Sequence, residues 1–192
     1  MKFYRLLVLL FLSTFSTALK AQENVVSNAN SSKGYIHFFT GAITYHFFDF
    51  SEDAGKFKKD IGDQGKLILH PFLGYEQADI KGEDLRYNAF FIFNDSLGSP
   101  ALGYNKGYSI RIDQYIDVGY FYGVYGIRQN VWEDNDINLP VRLKLGRNIA
   151  LVPIIGLKQT LTLPLYDDYT FKTSMAVMPN TATLLIGVAK NF

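Results

Sequence analysis

The sequence predicts an all-β protein: an eight-stranded antiparallel outer-membrane β-barrel with an apolar interior pocket. Three observations predict it. The chain opens with an export segment. The remainder alternates apolar and polar residues in runs of about ten, separated by turn chemistry, with no stretch of about 20 apolar residues that would span as a helix. Thirteen Tyr and sixteen Phe against one Trp supply the amphipathic rings typical of membrane–water boundaries.

Residues 1–21 read as a signal peptide. Lys2 and Arg5 form its basic start, Leu6 to Leu12 a short apolar core, and Ala18 and Ala21 offer cleavage sites. Cleavage after Ala21 leaves 16 basic and 18 acidic residues, a charge of −2. That balance suggests no polyelectrolyte, and no nucleic-acid partner is expected. With no cysteine, disulfides and thiolate metal sites are excluded. Residues 22–34 are polar and turn-rich, a periplasmic lead-in to a barrel over 35–192.

Strands are expected at Tyr35–Phe48, Lys66–Ala78, Leu85–Asn94, Ala101–Ile112, Val118–Gln129, within Val141–Leu163, at Tyr169–Met178 and at Ala182–Phe192. Long polar loops fall at Asp49–Gly65 and Asn130–Pro140. Pro153 and Pro164 blur the sixth strand, because proline cannot donate a ladder hydrogen bond. The even count and single-chain closure suit a monomer in the bacterial outer membrane.

Parity assigns the faces. On the first strand Tyr35, His37, Phe39, Ile43 and Tyr45 are expected to face lipid and His46 the lumen. On the third, Leu85, Tyr87, Ala89, Phe91 and Phe93 face lipid, while Arg86, Asn88, Phe90 and Ile92 face in. The fourth strand turns small residues inward, Ala101, Gly103, Asn105, Gly107 and Ser109, and the fifth turns Phe121 inward. Two arrangements satisfy this pattern. Either the small residues leave a pocket able to hold a hydrocarbon chain, or Phe90, Ile92 and Phe121 fill the space.

Under this topology His46, Asp95 and Ser96 share the extracellular rim, on strands two spacings or roughly 10 Å apart. Together they make an acyl-transfer set, with histidine as general base, serine as hydroxyl and aspartate as orienter. By themselves they are equally well rim polar residues. His37 and His70 have no partner at ligand spacing, so no metal is expected. No phosphate-binding loop occurs either, and no cofactor is expected.

Ala42-Ile43-Thr44-Tyr45-His46, followed by Phe93-Asn94-Asp95-Ser96, resembles the lipid A palmitoyltransferase (PagP) family. The resemblance continues through Pro100-Ala101-Leu102-Gly103-Tyr104 and Leu139-Pro140-Val141. It implies an eight-stranded barrel that moves an acyl chain from a phospholipid donor to a lipid A acceptor. His46, Asp95 and Ser96 then stand at the essential positions, and an internal hydrocarbon ruler measures the chain. Gly103, Asn105, Phe90, Ile92 and Phe121 are the expected substrate-binding residues. Two departures bear on mechanism. Gly41 stands where the family has a proline, and Asn105 where it has a glycine at the ruler floor. A larger residue there predicts a chain shorter than palmitoyl. The other function classes open to such a chain are a non-catalytic structural or adhesion barrel and a different lipid enzyme such as a phospholipase.

Overall fold

Alternating residues and short turns close this chain into a tube. The computed structural model describes residues 34–46, 67–94, 99–128, 143–146, 148–166, 168–179 and 181–192. The signal peptide, the lead-in before Gly34 and the two long polar loops lie outside the described residues.

The strands are β1 (Gly34–His46), β2 (Leu67–Lys81), β3 (Asp84–Asn94), β4 (Pro100–Arg111), β5 (Ile116–Arg128), β6 (Leu143–Leu145), β7 (Ile149–Tyr166), β8 (Tyr169–Val177) and β9 (Thr181–Asn191). They pair in the order β5-β4-β3-β2-β1-β9-β8-β7-β6, and β5 also pairs with β7. That last pairing joins the two sides of the sheet, so eight antiparallel strands form a closed barrel. β6 is a three-residue ribbon on the outer end of β7. Closure leaves every wall strand a partner on both sides, which a membrane demands because lipid cannot satisfy backbone groups. The chain ends complete the seam: Gly34 N–H donates to the Phe192 carbonyl at 3.1 Å and Phe192 N–H to the Gly34 carbonyl at 3.0 Å.

Observed strand bounds fall within a few residues of those expected, except in the sixth segment. There the chain forms β6 and then an 18-residue β7 running past both prolines. Pro164 sits beside the register shift that ends the β8 ladder. Pro153 lies where β7 has no β8 partner among the described residues, because that ladder begins at Leu157↔Val177. Both are positions where proline does little harm to a ladder.

The outer wall is apolar. Leu73, Phe90, Ile92, Leu102, Tyr122, Ile155, Leu157, Leu163, Leu184, Ile186 and Val188 are exposed around the barrel. A closed antiparallel barrel with such a band is an outer-membrane barrel.

Two parts of the expected facing are corrected. On β3 Leu85, Tyr87, Ala89 and Phe91 are buried in the lumen, and Phe90 and Ile92 face lipid, 54% and 56% exposed. On β1 Tyr35, His37 and Phe39 are buried, whereas Thr44 takes the inward place nearer the rim. The ladders of β1 shift register between Thr40 and Ala42 toward β2 and between Thr40 and Ile43 toward β9. This irregularity at Gly41 slips the period of two by one residue, as a bulge does.

The cause of the inversion on β3 is cross-strand packing. Phe91 is paired with Gly103 and Tyr87 with Gly107. A Cβ at either glycine would overlap the facing ring. Phe39 covers Gly74 and Phe121 covers Gly156 in the same way. Four rings therefore cover four glycines of neighbouring strands and take the space a side chain there would need. Replacing Gly103 with alanine should destabilise the barrel by about 1–3 kcal/mol through overpacking. Urea unfolding in lipid vesicles measures it; unchanged stability would show that the Phe91 ring is free to move aside.

Candidate lumen site

Inward side chains divide the bore into two layers. The periplasmic layer is polar and buried. Glu76 is its centre: Tyr35 donates its hydroxyl to Glu76 Oε1 at 2.8 Å, Lys158 Nζ pairs with Glu76 Oε2, and His37 Nδ1 lies 3.9 Å from Oε1. Lys158 also stacks 4.1 Å over the Tyr87 ring, and Lys172 lies 3.8 Å over that of Tyr35. Lys172 donates to Thr162 Oγ1 at 3.0 Å, and Thr160 and Ser174 share a hydroxyl bond of 2.9 Å. Arg111 and Asp117 close the periplasmic end at 3.4 Å. Each buried charge thus has an opposite charge or a ring against it, as burial requires. His37 meets a carboxylate that sequence spacing did not disclose, while both its ring nitrogens lack a hydrogen-bond partner.

The outer layer is chiefly aromatic and aliphatic, with Thr44 and Thr183 sharing a hydroxyl bond of 3.2 Å near its rim. Phe39 stacks on Phe72 with centroids 5.6 Å apart, Phe72 on Phe91 at 5.4 Å and on Phe93 at 5.7 Å, and Phe93 meets Tyr125 edge-on at 5.8 Å. Ala89 packs with Phe39 and Phe91 in this cluster. Ala101, Ile127, Ala150 and Val152 continue the apolar lining on the neighbouring strands.

Asn105 stands where the layers meet. Its register neighbours are Ala89 and Gly123, and Ala89 is in turn paired with Glu76. Asn105 Oδ1 is buried with no hydrogen-bond partner. Leaving such an atom unpaired is costly, and Asn105 shares this state with His37, which stands in the same ladder row through Glu76 and Ala89.

Of the expected substrate-binding residues, the structure places Gly103, Asn105 and Phe121 on the lumen side. Phe90 and Ile92 are on the lipid side and do not line the bore. Their outward placement follows from the ring-over-glycine pairing of Phe91 with Gly103. For the acyl-transfer set, β1 carries the His46 backbone to the outer end of the wall, opposite Thr181 of β9. β3 ends at Asn94 and β4 begins at Pro100, which are paired. Asp95 and Ser96 lie between them, outside the described residues, as does the His46 side chain. Among the described residues no group of three or more metal-ligating side chains occurs.

No protein-family model matches the chain, and no relative is found among curated proteins. Several solved barrels are similar in shape. The N-terminal β-barrel domain of Pseudomonas aeruginosa OprF is 8% identical, with a TM-score of 0.47, covering 85% of this chain and all of that one. Ail, the attachment invasion locus protein of Yersinia pestis, solved with a heparin analogue, is 10% identical with a TM-score of 0.46, over 83% and 99% of the two chains. A designed transmembrane β-barrel is 8% identical with a TM-score of 0.45, over 85% and 98%. These are likenesses of shape alone; the assignment as an eight-stranded outer-membrane barrel stands on the strand pairing and the apolar wall.

The Glu76–Lys158 pair should behave as a buried ion pair. Glu76→Ala alone strands the lysine and should cost about 3–5 kcal/mol, whereas Glu76→Leu combined with Lys158→Met should recover most of that loss. A double-mutant cycle of unfolding free energies checks it. Additive single effects would show that the two groups do not depend on each other.

Proposed function

We propose that the protein is an outer-membrane acyltransferase that moves a fatty acyl chain from a phospholipid to lipid A. The carrying observation is the layered bore: an aromatic outer layer, suited to hydrocarbon, ends on a polar floor at the level of Asn105. β1 ends at His46 and β3 at Asn94 on the outer side of that bore, and the motifs that carry His46, Asp95 and Ser96 resemble the lipid A palmitoyltransferase family.

In this reading the donor's acyl chain lies among Phe39, Phe72, Phe91 and Phe93, with its ester at the rim. His46 takes the proton from the acceptor hydroxyl as that oxygen attacks the ester carbonyl. The bond from the carbonyl carbon to the glycerol oxygen breaks, and the proton passes to the departing lysophospholipid. Asp95 and Ser96 orient and stabilise this arrangement. The stretch of β7 above Leu157, without a β8 partner among the described residues, supports an entry route for lipid from the side. Asn105 ends the ruler, and its size shortens the chain accepted.

A second reading has its own support. Rings lying over Gly74, Gly103, Gly107 and Gly156 occupy space that an acyl chain would otherwise take, which suits a solid structural or adhesion barrel.

Acyl transfer in detergent from a labelled phospholipid to lipid A separates the two. The wild type should transfer, and His46→Ala or Ser96→Ala should lose at least about 100-fold in rate with folding intact, the usual scale for removing a general base. Absence of transfer by the wild type, or full activity in both variants, favours the structural barrel. Asn105→Gly should lengthen the transferred chain, read by mass spectrometry of lipid A; an unchanged chain length would remove Asn105 from the ruler.

A further inference from the structure

The membrane-facing surface is uneven. On β7 exposed apolar residues run from Ile149 to Leu165, whereas on β3 only Phe90 and Ile92 are exposed and apolar. The rest of the outward face of β3 is Asp84, Arg86 and Asn88. Polar residues therefore climb the wall at β2–β3, and beside them Lys106 is exposed near the middle of β4, above Tyr108 and the exposed Ile110.

Lys106 differs from the other cations of this sector. Arg86 is paired in register with Asp79, and Asp84 lies two residues along β3 on the same face. The register neighbours of Lys106 are Asn88 and Tyr122, with Tyr104 and Tyr108 beside it on its own strand. No carboxylate is within ion-pair distance of Lys106 among the described residues. Tyr104 donates its hydroxyl to Asn88 Oδ1 at 3.0 Å, which leaves the Asn88 amide N–H₂ to act as a donor. Tyr108 is occupied by Asp84 at 2.5 Å. A cation, an amide donor and the exposed Tyr122 thus stand side by side across three strands on the lipid side of the wall. A lysine on a lipid-facing wall without a carboxylate from the protein is unfavourable, and a lipid phosphate is the anion within its reach.

We infer that the outer face of β3–β5 is a phospholipid site, in which Lys106, Asn88 and Tyr122 hold the phosphate of an inner-leaflet glycerophospholipid. Its acyl chains then run toward the outer rim over Phe90, Ile92 and Leu102, the exposed apolar residues directly above. The thin apolar band of β3 lets the headgroup rise to Lys106, since a bilayer thins beside a short apolar wall. This site is on the opposite side of the wall from the bore, and it stands whether or not the protein transfers acyl groups.

Native mass spectrometry of the folded full-length barrel, released from detergent with dioleoyl phosphatidylglycerol or with dioleoylglycerol, tests it. Wild type should retain one phosphatidylglycerol at about fivefold or higher occupancy over dioleoylglycerol, the scale of one cation at a lipid phosphate. Lys106→Gln should fall to the dioleoylglycerol level and Lys106→Arg should keep the lipid. Lys190→Gln, a cation at the periplasmic end of β9 lying 6.0 Å over the Tyr169 ring, should bind as wild type does. Equal retention by wild type and Lys106→Gln, or an equal loss in Lys190→Gln, overturns the site. So does failure of Lys106→Gln to fold, because neutralising a lysine held only by lipid removes a cost from the bare barrel.

Discussion

An eight-stranded barrel has a bore about as wide as the side chains that fill it, and this constraint governs the rest of the molecule. A ring pointing inward needs room that only a glycine across the ladder provides. Phe39 over Gly74, Phe91 over Gly103, Tyr87 over Gly107 and Phe121 over Gly156 meet that condition on three different ladders. Together these pairs fix which face of each strand is inside. Once Phe91 covers Gly103, Phe90 and Ile92 must face lipid, and Arg86 and Asn88 must emerge on the outer wall below them.

That dependence explains what was legible in the sequence. The number of strands and most of their bounds follow from local signals, the period of two and the turn residues, and these are visible one segment at a time. Facing on β4 was equally plain, because small residues alternate there with large ones. β3 is apolar at its outer end on both faces, so its own residues do not decide its orientation; the glycines of β4, more than ten residues away, do. β1 hides its slip at Gly41 for a similar reason. A strand with a single shifted residue still reads as one strand, yet half its side chains change sides.

The candidate site divides along the same line. Gly103, Asn105 and Phe121 were placed in the lumen by parity. Phe90 and Ile92 were misplaced with the rest of β3. Glu76, Lys158, Tyr35 and Lys172 were not singled out at all. Glu76 and Lys158 stand 82 residues apart, and in the sequence each resembles an ordinary charge on an alternating strand. A usable signal existed nonetheless: Glu76 shares parity with Gly74 and Ala78, small residues between outward Leu73 and Tyr75. A carboxylate among small residues on the inward face of a membrane strand needs a partner across the bore.

The two layers of the bore and the two sectors of the outer wall follow from one register. Ladder rows run Glu76–Ala89–Asn105–Gly123 on the inside and Gln77–Asn88–Lys106–Tyr122 on the outside, one residue apart. The inner row is where hydrocarbon gives way to charge in the bore, and the outer row is where apolar wall gives way to polar wall on β2 and β3. Because successive residues alternate faces, the sequence cannot move one boundary without moving the other. Shifting β4 by a single residue would bring Lys106 into the bore beside Glu76 and turn Asn105 out to lipid. The glycine–ring pairs resist that slip, since Gly103 and Gly107 would both leave the rings they admit. Packing inside the barrel therefore also holds the height of the polar surface outside it.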